Sequence, residues 1–162
     1  MATLSTLSGA DGPLTKLTVH LEKGQLPLRS IYGLPEFMEG LTNDLPTWVC
    51  GRLKADQTPQ EQMDSILHTW ISGRLIRYSR MLQDLMPSID EVWEFKSADL
   101  RIFGWFYRPR VFLAAFLDYA DWYKEPTKQC NYGDTRDSVV GVRNKLDLDE
   151  PKFATGAFDA LV

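Results

Sequence analysis

The sequence predicts an α+β fold in which a small, antiparallel-rich sheet packs on two N-terminal helices, and three observations support this. The longest aromatic and aliphatic run of the chain, residues 91–118, alternates with the period of two that is typical of strands. Polar or proline-containing turns at residues 97–99 and 108–110 divide this run into three strands. The segment before it, residues 59–72, repeats instead with the period of an amphipathic helix.

The three strands predict an antiparallel meander with two different faces. In the first strand Trp93 and Phe95 face one side and polar residues face the other. The second strand, residues 100–107, has one wholly apolar face, while its other face mixes aromatic residues with a single arginine, Arg101. The third, residues 111–117, is apolar on both faces, which suits a central strand covered on both sides.

The elements before the meander are less regular. Alternation over residues 17–23 predicts a first strand, and the density of proline and glycine over residues 27–46 predicts a loop with one helical turn at residues 36–41. A helix is expected to begin beyond Asp44, with Pro46 at or near its first position. Its inward-facing residues would be Trp48, Val49 and Leu53.

The helix at residues 59–72 has the clearest local signals. Thr58 is a capping residue, proline follows it, and Glu61 completes a capping box three residues after the cap. Gly73 stands where a left-handed C-terminal cap is expected. The apolar stripe of this helix is typical of core packing, and comprises Met63, Ile66, Leu67, Trp70 and Ile71.

A basic connector follows this helix, because Arg74, Arg77 and Arg80 recur at every third residue. Such a row is either a solvated helix face or an edge that faces phosphate, to which the planar guanidinium group is suited. Pro87 ends any helical character of the connector. The sequence leaves both interpretations open.

Three parts are expected along the chain: a flexible arm at residues 1–16, one α+β domain at residues 17–128 and a C-terminal extension at residues 129–162. The extension is acidic and partly apolar, and a short helix is expected within it at residues 136–146. Such a tail either stays solvated or folds back over a basic groove or a partner.

Composition narrows the classes of function. The net charge of −4 argues against a nucleic-acid-binding coat over the whole surface, although residues 74–110 carry an excess of basic groups. Two isolated cysteines and two distant histidines predict free thiols and no metal site. The sequence contains no glycine-rich phosphate loop, so no nucleotide cofactor is indicated. No apolar run approaches the roughly 20 residues of a membrane span, and we expect a cytoplasmic location.

Several short motifs together suggest a family. Gly73 at a helix end, then LQDL at residues 82–85, DEVWEFK at residues 90–96 and DLRIF at residues 99–103 resemble the RelE/HigB superfamily of bacterial and phage toxins. The resemblance extends over residues 45–128. It implies a RelE-like sheet that cups messenger RNA at the ribosome, and metal-independent endoribonuclease chemistry in which the RNA 2′-hydroxyl attacks the adjacent phosphate.

Such chemistry needs fixed positive charge near the phosphorane and a group that transfers protons. The resemblance gives Lys96, Arg101, Tyr123 and Lys124 as the candidate catalytic residues. The phosphate-facing interpretation of the connector gives Arg74, Arg77 and Arg80 as candidate RNA-binding residues, and the resemblance adds Lys128. The expected partners are mRNA on the ribosome or a cognate antitoxin. Alternatives stay open for both cations: Lys96 as an exposed hairpin lysine, and Arg101 stacked on Trp105 or paired with Glu94 or Asp99.

A second class of function stays open: a catalytically inactive interaction protein of phage or mobile-element origin, which keeps the toxin fold but binds and inhibits a protein partner. Aromatic residues beyond the needs of one small core favour this class, because exposed aromatics anchor interfaces. They are Trp105, Tyr107, Tyr119, Trp122 and Tyr123. The enzyme hypothesis requires Lys96, Arg101 and Lys124 to converge in one exposed concavity. The interaction hypothesis is favoured if these residues scatter or are paired with neighbouring carboxylates.

Overall fold

A six-stranded mixed sheet forms the centre of the structure, a computed structural model that describes all 162 residues. In chain order the α-helices and strands are α1 (Leu4–Leu7), β1 (Thr15–Lys16), β2 (Ser30–Gly33), α2 (Pro35–Glu39), α3 (Pro59–Ile71), β3 (Leu82–Asp84), β4 (Trp93–Lys96), β5 (Leu100–Arg108), β6 (Val111–Tyr119), α4 (Tyr132–Lys145) and α5 (Phe158–Leu161). Their spatial order in the sheet is β1-β2-β6-β5-β4-β3, and only β2 and β6 run parallel. The fold is therefore α+β, as predicted. None of the helices has the length and hydropathy that a membrane crossing requires.

The meander predicted for residues 91–118 is confirmed as β4, β5 and β6. Strand β6 lies at the centre of the sheet, with β5 antiparallel on one side and β2 parallel on the other. The register of β5 against β6 shifts between Phe103 and Gly104. A Cβ atom at Gly104 would lie 1.9 Å from the carbonyl oxygen of Leu113, so the close approach of the two strands at this point requires glycine.

Helix α3 covers the first face of the sheet and confirms the helix predicted at residues 59–72. Both halves of its capping box are present, with the Thr58 N–H donating to Glu61 at 2.7 Å and the Glu61 N–H donating to the Thr58 hydroxyl at 3.3 Å. Gly73 ends the helix at a φ of +77°. The indole ring of Trp70 is fully buried and packs edge-on against Phe95, with 5.4 Å between ring centroids. This face is the one that the alternation of β4 and β5 predicts to be wholly apolar.

The second face of the sheet is covered by the C-terminal extension. The helix expected at residues 136–146 is present as α4 and begins earlier, because the Asn131 side chain accepts the Asp134 N–H at 2.8 Å and caps it. Val139 of α4 is fully buried against this face, together with Leu148. The indole N–H of Trp105 donates to the Lys152 carbonyl at 3.0 Å. The extension is thus part of the packed structure.

The N-terminal residues also contact this second face. Leu7 of α1 and the following Leu14 are buried in the same core. The Ala2 N–H donates to the Asp147 carbonyl at 2.9 Å, and the Asp149 N–H returns to the Ala2 carbonyl at 3.1 Å. The segment expected to be a flexible arm therefore lies against the C-terminal extension.

The strand predicted at residues 17–23 is wrong. The strand that joins the meander is β2, where Ile31 is fully buried and Tyr32 nearly so. Only Thr15 and Lys16 of β1 pair with β2. The hydrogen bonding to β2 ends at Leu17, whose N–H donates to the Ile31 carbonyl at 3.0 Å. Burial against β6 outweighs the alternation of residues 17–23.

The helix predicted beyond Asp44 is also wrong. The helical turn expected at residues 36–41 is present as α2. The chain continues from α2 through a π-helical turn, Gly40–Asp44, and a 3-10 turn, Leu45–Thr47, and the helical structure ends at Thr47. Val49 and Leu53 were expected to face inward, but they are 74% and 64% exposed. The segment after Thr47 is therefore an exposed loop.

Candidate functional site

A row of charged side chains crosses the second face of the sheet near one end. Lys96 of β4 lies opposite Arg101 of β5, and Arg101 lies opposite Asp118 of β6. Directly opposed residues of antiparallel strands point to the same face, so the three side chains are neighbours. Lys96 therefore lies across the hairpin from Arg101, as expected. We call this row, together with Glu94 and Tyr123, the polar cluster.

Arg101, the central candidate for catalysis, is only 8% exposed. Its Nη1 donates to the carbonyl oxygens of Ser97 and Leu100, at 2.7 Å each. Its Nε lies 3.7 Å from Glu94 Oε2 and 3.4 Å from the hydroxyl of Tyr132. The pairing with Glu94, one of the alternatives that the sequence left open, is the one present, and the guanidinium group does not face solvent.

Glu94 is fully buried beneath this row. Its Oε1 accepts a hydrogen bond from Gln83 at 2.5 Å, whereas its Oε2 accepts none and has only the ion pair with Arg101. Burial raises the pKa of Glu94, and the opposing effects of Arg101, Gln83 and Lys96 do not cancel it. Lys96 itself donates to the Gln83 side chain at 2.9 Å. Its ammonium group is thus engaged inside the cluster.

Tyr123 and Asp118 form the other half of the cluster. The Tyr123 hydroxyl donates to Asp118 and lies 2.7 Å from the Thr135 hydroxyl of α4. Burial raises the pKa of Asp118, although the hydrogen bond from Tyr123 works in the opposite direction. Burial and the Asp118 carboxylate together raise the pKa of Tyr123 strongly, so this phenol keeps its proton at neutral pH.

Tyr132, the first residue of α4, closes the cluster from outside. Its ring stacks against Tyr123 with 4.7 Å between centroids and lies 6.1 Å from the ring of Phe103. Its hydroxyl approaches Arg101, while 38% of the residue stays exposed. The sequence analysis missed this residue, because only the cap at Asn131 marks where α4 starts and nothing local shows what that start covers.

The remaining cations of the predicted site lie outside the cluster. Lys124 is half-buried and follows the 3-10 turn Ala120–Tyr123, while Lys128 is exposed on the link to α4. Neither side chain forms an ion pair. The structure thus brings Lys96, Arg101 and Tyr123 together, among carboxylates, and leaves the two lysines apart.

Two aspartates near the cluster hold the loop that follows Thr47. The Gly51 N–H donates to Asp99 at 2.9 Å, and the Arg52 N–H donates to Asp121 at 3.0 Å. Gln62 of α3 donates to the other Asp99 oxygen at 2.7 Å. Asp99 and Asp121 therefore have a structural role here.

The basic connector forms an exposed loop instead of a helix. Arg74, Arg77 and Arg80 are all exposed, and none forms an ion pair. Exposed apolar residues accompany them, and we call these seven residues the loop surface. The apolar members and their exposed fractions are Leu75 80%, Tyr78 52%, Met86 75% and Ile89 83%.

The loop surface comes from two segments, residues 74–80 and residues 86–89, and hydrogen bonds connect them. Asp84 accepts from the Tyr78 hydroxyl at 2.5 Å and also from the Ser88 hydroxyl, which places Tyr78 beside the segment that carries Met86. Arg136 of α4 donates to the Met86 carbonyl at 2.8 Å. The exposed apolar groups therefore lie on a fixed backbone.

The aromatic residues expected on the surface are mostly buried. Trp105, Tyr107 and Tyr123 are at most 7% exposed, so they contribute to the second core and not to an interface. Only Tyr119 and Trp122 of that set reach the surface, where both pack against Trp48. The covering extension, which the alternation of β5 cannot reveal, accounts for this difference.

The chain's two histidines, His20 and His68, line one cavity together with Asp64. No group of three or more histidine, cysteine, aspartate or glutamate side chains is arranged to hold a metal ion. Cys50 and Cys130 are free thiols, as predicted.

Comparisons of this chain with protein-family models, with curated proteins and with solved structures found no match.

Proposed function

We propose that this chain is a catalytically inactive interaction protein, related in design to the RelE-like toxins, that binds a protein partner through the loop surface. The partner carries an apolar segment with acidic residues. Inhibition of that partner is the function suggested by the resemblance to toxins described above.

The observation that carries this proposal is the internal use of the predicted catalytic charges. Arg101 is paired with Glu94, Lys96 is bonded to Gln83, and Tyr132 covers the guanidinium group. A phosphate group that approached the cluster would meet two carboxylates as well as two cations. Because two carboxylates accompany the two cations, the cluster has no excess of positive charge with which to stabilise a phosphorane.

The loop surface has the features of a protein-binding site. Its arginines are exposed without ion pairs, while Met86, Ile89 and Leu75 present aliphatic side chains at 75% exposure or more. Exposed aliphatic groups contribute to protein interfaces, whereas single-stranded nucleic acids bind mainly to aromatic platforms and cations. Only Tyr78 of the loop surface is aromatic, so a protein fits this surface better than RNA does.

The charge of the loop surface defines the partner more closely. Arg74, Arg77 and Arg80 present three guanidinium groups, which bind carboxylates through two parallel hydrogen bonds. An acidic partner segment would satisfy them while its apolar residues cover Met86 and Ile89. Because such contacts are exposed, binding should weaken as the salt concentration rises.

A photo-crosslinking experiment tests this proposal. A benzophenone amino acid is placed at Ile89, or at the exposed Gln60 of α3 as a control, and the protein is expressed in bacteria. We expect one dominant protein adduct from position 89, attached through an acidic and apolar segment. The adduct should be lost when Arg77→Glu and Arg80→Glu are introduced.

Equal adducts from positions 60 and 89 would contradict the proposal, as would a position-89 adduct that survives both charge reversals. Recovery of RNA instead of protein after ultraviolet crosslinking would also contradict it.

A second candidate function is metal-independent cleavage of mRNA. The observation in its favour is that three predicted catalytic residues meet in one cluster with Asp118, a carboxylate of raised pKa that is suited to proton transfer. In that case Tyr132 is a removable cover over Arg101.

Expression in bacteria separates the two functions. A ribonuclease should arrest growth and cut translated messages, Arg101→Ala should abolish both effects, and Tyr132→Ala should increase them. Normal growth with both the intact protein and the Tyr132→Ala variant would count against cleavage and leave the interaction proposal standing.

A further inference from the structure

A cavity of about 310 Å³ lies beside the loop surface, between the loop and the C-terminal residues of the chain. Three aromatic rings line it, those of Tyr78, Trp93 and Phe158, together with the carboxylates of Asp84 and Glu91. None of the chain's lysine or arginine side chains lines it. None of the lining residues belongs to the polar cluster, and Tyr78 is the single one that also belongs to the loop surface.

Phe158 contacts both of the other rings, so the three form one aromatic cluster in the wall of the cavity. Tyr78 and Phe158 meet nearly edge-to-face, with centroids 5.5 Å apart and an interplanar angle of 71°. Phe158 and Trp93 lie 6.4 Å apart at 33°. Aromatic faces attract cations through their negative electrostatic potential, and the effect strengthens where water is displaced. This arrangement is therefore suited to a positively charged group.

The two carboxylates add to this attraction. Burial alone would raise the pKa of Asp84, but hydrogen bonds from Ser88 and Tyr78 outweigh burial and lower it, so Asp84 is ionised at neutral pH. Burial raises the pKa of Glu91, as does the neighbouring Asp84 charge. A bound cation would relieve this repulsion between the two carboxylates.

A buried donor at the cavity forms no hydrogen bond. The indole N–H of Trp93, a residue only 3% exposed, forms no hydrogen bond. Trp93 lines the same cavity as Glu91, and its nearness opposes the larger rise that burial causes in the pKa of that carboxyl. A buried polar group without a partner is costly, and in native proteins such groups often mark a missing ligand or water.

We propose that this cavity binds an organic cation, an alkylammonium or guanidinium group whose carrier also bears an oxygen acceptor. The charged group sits among the rings of Tyr78, Trp93 and Phe158 and faces the carboxylates of Asp84 and Glu91. The oxygen accepts the Trp93 N–H. Lysine and arginine residues of a peptide have both parts, and so do free amines such as choline.

Titration of the intact protein with small probes tests this proposal. The probes are Nα-acetyl-lysine methylamide, its trimethylated form and choline, and the neutral control is Nα-acetyl-norleucine methylamide at matched ionic strength. The indole N–H signal of Trp93 is followed by nitrogen–proton NMR and assigned from the Trp93→Phe variant. We expect this signal to shift saturably with the cationic probes and not with the neutral one.

Variants of the lining residues should weaken binding without unfolding the protein. Glu91→Gln and Tyr78→Leu should each reduce affinity by about tenfold, which corresponds to the loss of one charge pair or one cation–π contact. Asp90→Asn is the matched control, because Asp90 lies in the same loop, pairs with Arg136 and does not line the cavity. It should bind the probes as the unaltered chain does.

An equal shift with the neutral probe, or undiminished affinity in Glu91→Gln, would overturn the proposal. Tighter binding of the lysine methylamides than of choline points to a peptide side chain as the natural ligand, and the reverse order points to a free amine. These outcomes are independent of the crosslinking from Ile89, so either proposal can fail without the other.

Discussion

Arginines occupy two contrasting environments in this molecule. Arg101 is buried in the polar cluster, where Glu94 balances its charge and Tyr132 covers it. Arg77, on the loop surface, is exposed and has no acidic partner. Both come from stretches that mix arginine with apolar residues, so the local pattern does not separate them. The difference arises from what folds over each stretch, which leaves Arg101 to balance a buried carboxylate and Arg77 open to solvent.

The largest expected effect comes from removing the buried cation. Arg101→Met leaves the Glu94 charge buried without a counter-ion, and we expect the free energy of unfolding to fall by about 3–5 kcal/mol. Urea denaturation at pH 7 measures this change. The double variant Arg101→Met with Glu94→Gln should recover much of the loss, because neither charge then remains buried. An equal loss in the single and double variants would show that the two side chains are not coupled.

A smaller loss is expected in the other half of the cluster. Tyr123→Phe removes the hydroxyl that donates to Asp118 and contacts Thr135, and so leaves a half-buried carboxylate short of a donor. We expect a destabilisation of about 1–3 kcal/mol. Tyr119→Phe is the matched control, because that hydroxyl donates to the Val49 carbonyl in an exposed part of the molecule. If Tyr123→Phe lowers the free energy of unfolding no more than Tyr119→Phe does, the hydroxyl of Tyr123 does not stabilise the polar cluster.

Unlike the two substitutions above, removal of the Asp118 charge should stabilise the protein. Burial raises the pKa of Asp118 in the folded state. At pH values between the ordinary and the raised pKa, the folded state therefore still holds a proton that the unfolded state has lost. Stability therefore falls as pH rises through that window and stays lower above it. Asp118→Asn removes this penalty, so we expect a small gain in stability at pH 7 and a flatter profile of stability against pH. A loss at pH 7 would mean that the ionised carboxylate is itself stabilising.

The smallest effect on stability is expected from the loop surface. Met86→Ser and Ile89→Ser replace exposed side chains, and we expect each to change the free energy of unfolding by less than about 0.5 kcal/mol. Their effect should appear instead in binding: with the crosslinker placed at Leu75, each substitution should reduce the yield of the partner adduct. A large destabilisation would show that these side chains pack in the fold and would remove the contrast with Arg101.

The sequence predicts best those elements whose signals are local. The capping box at Thr58 and Glu61 specifies where α3 begins, and alternation specifies the faces of β4 and β5. By contrast β2 is stabilised by parallel pairing with β6, some eighty residues away, and no local period reports such a partner. Proline and glycine on both sides of β2 make the segment resemble a loop.

The candidate site is predictable to the same limited extent. That Lys96 and Arg101 are neighbours follows from the hairpin, because two strands joined by a short turn have a fixed register. That Arg101 is buried does not follow from it, because the covering residue, Tyr132, is 31 positions later in the chain. The resemblance to the toxin family leads to a face open to RNA, and the C-terminal extension covers that face.

The link around Lys128, between β6 and the covering extension, is exposed and therefore accessible to proteases. On the far side of that link the chain is anchored by Val139, Leu148 and the hydrogen bond from Trp105 to Lys152. A protease that cuts the link should therefore yield two fragments that still co-purify under native conditions and separate only in denaturant. The nicked protein would keep its shape.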